Sequence, residues 1–113
     1  QSVLAVTDSL KSPISETRGR AAITLHRMYE FDEIGTLFNE NNRKTIRDLL
    51  VANLSDENAS TRIYSIVALR SFGDETVLNP IENIEKNDAH KDSGGTYEVR
   101  LEATETLKIL KSN

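Results

Sequence analysis

Four groups of residues in this chain have types and spacings that could do chemistry. Asp92-Ser93-Gly94-Gly95 sets a hydroxyl beside glycine backbone, the arrangement acyl transfer uses when an activated Ser adjoins an oxyanion hole. That reaction needs a positioned imidazole, and the chain holds only His26 and His90. The two histidines, with Asp88 or Asp92, offer ligand types that zinc accepts, yet no paired-His motif or EF-hand ligand series occurs. Arg18, Arg20, Arg27, Arg43, Lys44 and Arg47 gather six of the fourteen basic residues into thirty positions, a pattern that can grip phosphate. Glu82, Glu85, Glu98, Glu102 and Glu105 make the C-terminal half acidic, but acid–base work needs a cleft and unequal environments for two carboxyls.

Each group has a plainer account. The Ser lies in a run of loop formers, the histidines read as surface residues, and the glutamates read as a wet helix face. Arg18 reads as an internal turn residue, and the other cations have Glu16, Glu30, Glu40 and Asp48 within pairing distance along the chain. No Gly-rich phosphate loop, dinucleotide fingerprint or activated nucleophile is present. The expectation is a chain with no catalytic residue, no cofactor and no metal.

Composition agrees with a single folded domain over residues 1–113. Leu, Ile, Val and Phe supply 30 of 113 residues, above the level at which chains stay disordered, and Gly and Pro number only 5 and 2. A net charge of -4 disfavours non-specific binding to nucleic acid or anionic membranes. No apolar run approaches the roughly 20 residues a bilayer span needs. Without Cys there is no disulfide or thiolate site; the compartment stays open, with the cytoplasm favoured. Gln1 in place of Met leads us to expect a processed chain or a piece of a longer one.

The elements that must position these residues come from an internal repeat. Thr17-Arg18-Gly19-Arg20-Ala21-Ala22-Ile23-Thr24-Leu25 aligns with Thr61 to Leu69 and with Val99 to Leu107, each block carrying Arg, a small residue three later and Leu seven later. The Arg-to-Arg spacings of 44 and 38 bracket the roughly 40-residue period of two-helix repeats. Ala22, Leu25 and Met28, or Ile66, Leu69 and Phe72, recur at helical steps. A second apolar segment precedes each block: Val3 to Leu10, Ile46 to Leu54, and Val77 to Ile84. Six helices follow, near 2–11, 14–29, 42–54, 59–71, 75–86 and 97–111. Ser12-Pro13, Asn58 and Thr96 read as starts of the block helices, and Gly73-Asp74 as a glycine stop followed by an N-cap. Residues 30–42, with Phe31, Ile34, Leu37 and Phe38, are apolar enough to pack as a short extra turn. Residues 87–96 are a breaker-rich loop.

These blocks resemble the HEAT-like repeat family, of the type found in bilin lyases, whose first helix carries Val-Arg-x-x-Ala-x-x-Ala-Leu and whose turn carries Gly-Asp. Asp56, Arg62, Ala68-Leu69, Gly73-Asp74, Val77, Pro80-Ile81 and Ile84 fall where the family places them. The resemblance implies an all-α fold, a short right-handed α-α superhelix of about six helices in antiparallel pairs. It gives Arg18, Arg62, Arg100, Asp56, Gly73 and Asp74 structural roles, with Asp56 and Arg62 tying adjacent turns together. Ser12 stands at the Asp position before Arg18, and Gly94 at the one before Arg100.

The resemblance implies an interaction scaffold that binds a protein partner or another domain of its own polypeptide. Arg43, Lys44, Arg47, Asp48, Glu82, Asn83 and Lys86 are the polar positions expected to face outward. An alternative is an accessory domain of a larger enzyme, as HEAT-like repeats are in some zinc aminopeptidases and bilin lyases. A nucleic-acid module ranks third, because aromatic residues for base stacking are few.

Overall fold

Asparagine side chains start two of the helices. Asn39 accepts from the backbone of Asn42, while the Asn42 side chain accepts from the backbone of Asn39; Asn58 accepts from the N–H groups of Ser60 and Thr61. These bonds satisfy donors that the first turn of a helix leaves open. The computed structural model describes residues 2–112. It contains α1 (Val3–Ser9), α2 (Ser15–Glu30), α3 (Glu40–Ala52), α4 (Ala59–Phe72), α5 (Leu78–Asn87) and α6 (Glu98–Lys111). A single 3-10 turn extends α3 over Asn53–Ser55, and another precedes α5 over Glu75–Val77. There is no strand among the described residues.

The fold is all-α. α2 lies along α4, and α4 along α6, while α1, α3 and α5 pack respectively on α2, α4 and α6. Ser15 meets Thr61 and His26 meets Ser71, so α2 and α4 run in the same direction. Glu85 meets Thr104 and Glu82 meets Lys111, so α5 and α6 run in opposite directions. The apolar stripes read from the sequence converge: Ala22, Leu25, Ile66, Leu69, Phe72, Val99 and Ala103 are fully buried, against Ile46 and Leu50 of α3, Ile81 of α5, Leu10 just past α1 and Val77 in the turn before α5. The radius of gyration, 13.5 Å, is close to the roughly 13 Å of a compact chain of this length.

Polar groups inside this core are paired. The Asn53 side chain donates to the Leu10 carbonyl, joining the ends of α1 and α3, and Thr61 donates to the Ser15 carbonyl. Among the described residues no buried side-chain nitrogen or oxygen lacks a partner. This matters for a chain this small, since one orphaned buried group costs about 1–3 kcal/mol.

Three local expectations are corrected. Residues 31–39 form no extra helical turn. Asp32 accepts from the backbone of Gly35 and Leu37, curling the segment through Gly35 at φ 76°, and this curl leaves Phe31 79% and Ile34 84% exposed. Phe38 alone of this group reaches the core, its ring 5.2 Å from that of Phe72 and 5.7 Å from that of Tyr29. The second correction concerns helix starts: α2 and α6 take Ile14 and Tyr97 as N-caps, without side-chain caps, in place of Ser12-Pro13 and Thr96. The third concerns Gly73, which ends α4 at φ -79°, outside the left-handed region. Its requirement is space, because a Cβ there would stand 2.5 Å from the Leu69 carbonyl oxygen and 3.0 Å from Val77.

Candidate interaction surface

The three repeat arginines each bond a backbone carbonyl of the loop before their helix, Arg18 and Arg62 through the same atom and Arg100 through a different one. Arg18 Nη1 donates to the Ser12 carbonyl at 2.7 Å, Arg62 Nη1 to the Asp56 carbonyl at 2.8 Å, and Arg100 Nε to the Asp88 carbonyl at 2.7 Å. Each ties its own helix to the loop before it. Because the acceptor is backbone, Ser12 serves as well as Asp does. Gly94, six residues before Arg100, plays no such part; the inserted loop moves the acceptor back to Asp88.

Two of these arginines also reach a carboxylate. Arg18 Nη2 lies 2.6 Å from Asp56 Oδ2, and Arg62 binds both oxygens of Asp88 at 2.8 and 3.2 Å. The expected pairing of Asp56 with Arg62 is therefore corrected in one respect: Arg62 takes the Asp56 carbonyl, and the Asp56 carboxylate belongs to Arg18. Asp88 reads from the sequence as a solvated loop residue, yet its side chain is 5% exposed. A different ruler would have found it. Asp56 and Asp88 each immediately follow the helical segment before their block, as C-cap residues, so counting from that helix end aligns them where counting back from the Arg does not.

Further along the same helices a second link repeats. His26 Nδ1 lies 2.7 Å from Ser71 Oγ, and Arg70, in the matching place on α4, donates to Thr106 Oγ1 at 2.9 Å and to Glu102 at 2.6 Å. Burial holds the His26 imidazole below its ordinary pKa, with Arg70 and Arg27 acting the same way against the pull of Glu30. Burial pushes the Asp56 carboxyl up, but hydrogen bonds from Ser15, the Asn58 backbone and Arg18, together with the Arg18 charge, outweigh it and leave its pKa lowered. The Asp74 carboxyl is lowered chiefly by the hydrogen bond from Thr76, helped by the Arg47 charge.

The basic cluster is dispersed in three dimensions. Arg18 is bound to Asp56. Arg47 turns inward, donating to the Phe72 carbonyl at 2.7 Å and standing 3.4 Å from Asp74, so this residue does not face outward as its polarity led us to expect. Arg43 lies over the Tyr29 ring at 5.1 Å. Lys44 and Asp48 pair with each other at 3.0 Å on the exposed side of α3. On α5, Asn83 and Lys86 are exposed, and half-buried Glu82 lies 3.5 Å from Lys111. Arg20 and Arg27 instead line a groove of about 350 Å³ between α2 and α4, with Ile23 and Tyr64.

The remaining motifs are occupied with loop geometry. Asp92 Oδ1 accepts from the backbone of Gly94 and Thr96, and Gly95 takes φ 82°, so the segment around Ser93 is a tight turn. His90 Nε2 lies 2.8 Å from Glu98. Among the described residues no three His, Asp or Glu side chains converge as metal ligands, and no helix is long and apolar enough to cross a membrane. Comparison with protein-family models, with curated proteins and with solved structures returns no match.

Proposed function

We propose that this chain is a non-catalytic interaction scaffold, a short right-handed superhelix of HEAT-like helical pairs that binds a protein partner or another domain of its own polypeptide. The observation that carries this reading is the recurrence of an arginine bonded to the backbone of the loop before its helix. Arg18, Arg62 and Arg100 each bond the backbone of the loop before their helix, and the first two also bond the acidic residue of the next loop. The two carboxylate links join one helical pair to the next, and contacts of this kind hold a stack in which each unit touches only its neighbours. The exposed aromatic and aliphatic residues, among them Tyr64, Leu101 and Phe31, are of the kind that anchors protein interfaces.

The alternative, an accessory domain of a larger enzyme such as a zinc aminopeptidase or a bilin lyase, makes the partner a domain in cis. One experiment separates these readings. An antibody against this domain is used to follow the endogenous protein on denaturing and native gels of its source lysate. A denatured band near 12.7 kDa that migrates as a larger complex under native conditions is the result expected of a scaffold. A much larger denatured band makes the chain a domain of a longer polypeptide, in which catalytic residues in the added sequence mark an accessory domain of an enzyme and their absence a scaffold acting in cis. A 12.7 kDa chain that also migrates alone overturns the scaffold reading.

A further inference from the structure

Among the described residues every arginine side chain has a partner except two. Arg18, Arg47, Arg62, Arg70 and Arg100 are hydrogen-bonded or ion-paired, and Arg43 lies over Tyr29. Arg20 and Arg27 are exposed, and no carboxylate, carbonyl or ring engages either guanidinium. Both line the groove between α2 and α4, beside Ile23 and the 39% exposed Tyr64. The groove is open because residue 19 is glycine. A Cβ there would stand 2.9 Å from Thr61 Oγ1 and 3.2 Å from the Tyr64 ring, whereas Ile63 holds the same register on α4. Glu16 is the one acid among the lining residues. On a chain of net charge -4, a groove with two free cations and an apolar floor selects an acidic segment that carries an apolar side chain.

The same chain carries such a segment. Glu30-Phe31-Asp32-Glu33-Ile34 leaves the end of α2 with Phe31 79% and Ile34 84% exposed. Asp32 is committed to the backbone of Gly35 and Leu37, but the Glu33 carboxylate has no partner. Glu30 lies 3.5 Å from His26, which burial keeps neutral at about pH 7, so its charge is available as well. Phe31 cannot fill the groove of its own chain, because it caps the helix that holds Ile23, eight residues and about 12 Å further along the axis. A second copy can bring it there. Arg20, Ile23, Arg27 and Phe31 recur at three- and four-residue steps, so groove and segment share one face of α2.

We infer that two copies of this chain associate through α2, the two helices antiparallel about a two-fold axis, each copy placing Phe31 in the other's groove against Ile23 and Tyr64. Glu33 of each copy then meets Arg20 of the other, and the two Arg27 and two Glu30 side chains alternate near the axis. A contact of this self-complementary kind closes at two copies, where a head-to-tail one would run on. Each copy contributes one aromatic anchor and a few charges, so the dimer is of the small, transient kind and comes apart on dilution. The inference goes beyond the scaffold reading, since it concerns how the chain meets itself.

Analytical ultracentrifugation of the purified chain over a concentration series tests it. The expected result is a 12.7 kDa monomer on dilution and an apparent mass that rises toward twice that at about millimolar concentration. Arg20→Glu and Glu33→Arg alter exposed side chains without partners in the fold, so helix content stays, and each alone should weaken association by at least about tenfold. Phe31→Ser should weaken it by a similar factor. Mixed one to one, the two charge reversals should restore association to within about twofold of wild type. In the mixed pair one contact joins the two reversed charges and the other keeps its original pair. A wild type that stays monomeric throughout overturns the inference, even if its groove takes up an unrelated acidic peptide, which would give the groove to a different partner. Association that neither reversal weakens, or that their mixture fails to restore, overturns it too by placing the contact elsewhere. The purified chain meets only itself, so these outcomes are independent of the native-gel result. A monomer here beside a native complex with another protein removes the dimer and keeps the scaffold. A dimer here beside a native chain that meets no other protein keeps the dimer and removes the scaffold.

Discussion

Arg18 and Asp56 lie 38 residues apart in sequence and 2.6 Å apart in space, and this contact joins the start of α2 to the start of α4. The Asp56 side chain is 2% exposed and also accepts from Ser15 Oγ and the Asn58 backbone. A carboxylate so enclosed holds its place only while its partners remain.

Removing it should be costly. Breaking a buried pair from one side leaves the other charge unpaired, at about 3–5 kcal/mol, and the half-buried Arg18 places Asp56→Ala at the lower end, about 3 kcal/mol. Urea denaturation measures this. A loss within about 0.5 kcal/mol, the range of surface substitutions, would mean that water replaces the carboxylate without penalty.

Stability should fall with acid in two stages. His26 is depressed from its ordinary pKa of about 6.5, so the unfolded chain takes up a proton before the folded one does. Its contribution is present above that value and lost as pH falls through the folded pKa. His26→Asn, which keeps a hydrogen-bonding group near Ser71, should flatten the change in melting temperature between pH 8 and pH 5. Asp56 and Asp74 are depressed from about 3.8, so their contributions persist above that value and disappear below it as each folded pKa is crossed. A wild-type curve that is level from pH 8 to pH 5 would contradict the His26 part.

Two glycines should respond differently to the same substitution. A Cβ at Gly73 meets the Leu69 carbonyl oxygen at 2.5 Å, and backbone in a helix end cannot yield cheaply, so Gly73→Ala should cost about 1–3 kcal/mol. At Gly94 the nearest atom would be Asp92 Oδ1 at 3.4 Å, an ordinary contact. Gly94→Ala should stay within about 0.5 kcal/mol. Thermal denaturation of the pair decides whether space at the end of α4 is the constraint.

Aromatic rings of equal hydrophobicity should have unequal value. Phe72 is fully buried and meets the rings of Tyr29 and Phe38, so Phe72→Ala should lose about 3–5 kcal/mol. Phe31 projects from the curled linker, and Phe31→Ser should change stability by less than about 0.5 kcal/mol. Denaturant midpoints of the two variants test this, and equal losses would mean the linker folds onto the core in solution.

The helices were legible because their information is local. The spacing of Ala22, Leu25 and Ile66, Leu69, Phe72 marks buried faces, and Asn58 marks the start of α4. The linker misled because Phe31 and Ile34 are apolar by type, while the hydrogen bonds from Gly35 and Leu37 to Asp32 decide where they point. Of the outward positions, Lys44, Asp48, Asn83 and Lys86 were readable from polarity, and Arg47 was not, because the Phe72 carbonyl that draws it inward lies 25 residues away.

By itself the sequence determined six helices, their buried stripes and the recurrence of Arg18, Arg62 and Arg100, since periodicity and capping depend on residues within a turn or two of each other. Only the tertiary structure decided which carboxylate each arginine meets. Asp56 and Asp88 become partners of Arg18 and Arg62 through the stacking of whole helices. The same stacking leaves Arg100 and Leu101 on a face with no following helix among the described residues, and no local pattern records what a neighbouring helix covers.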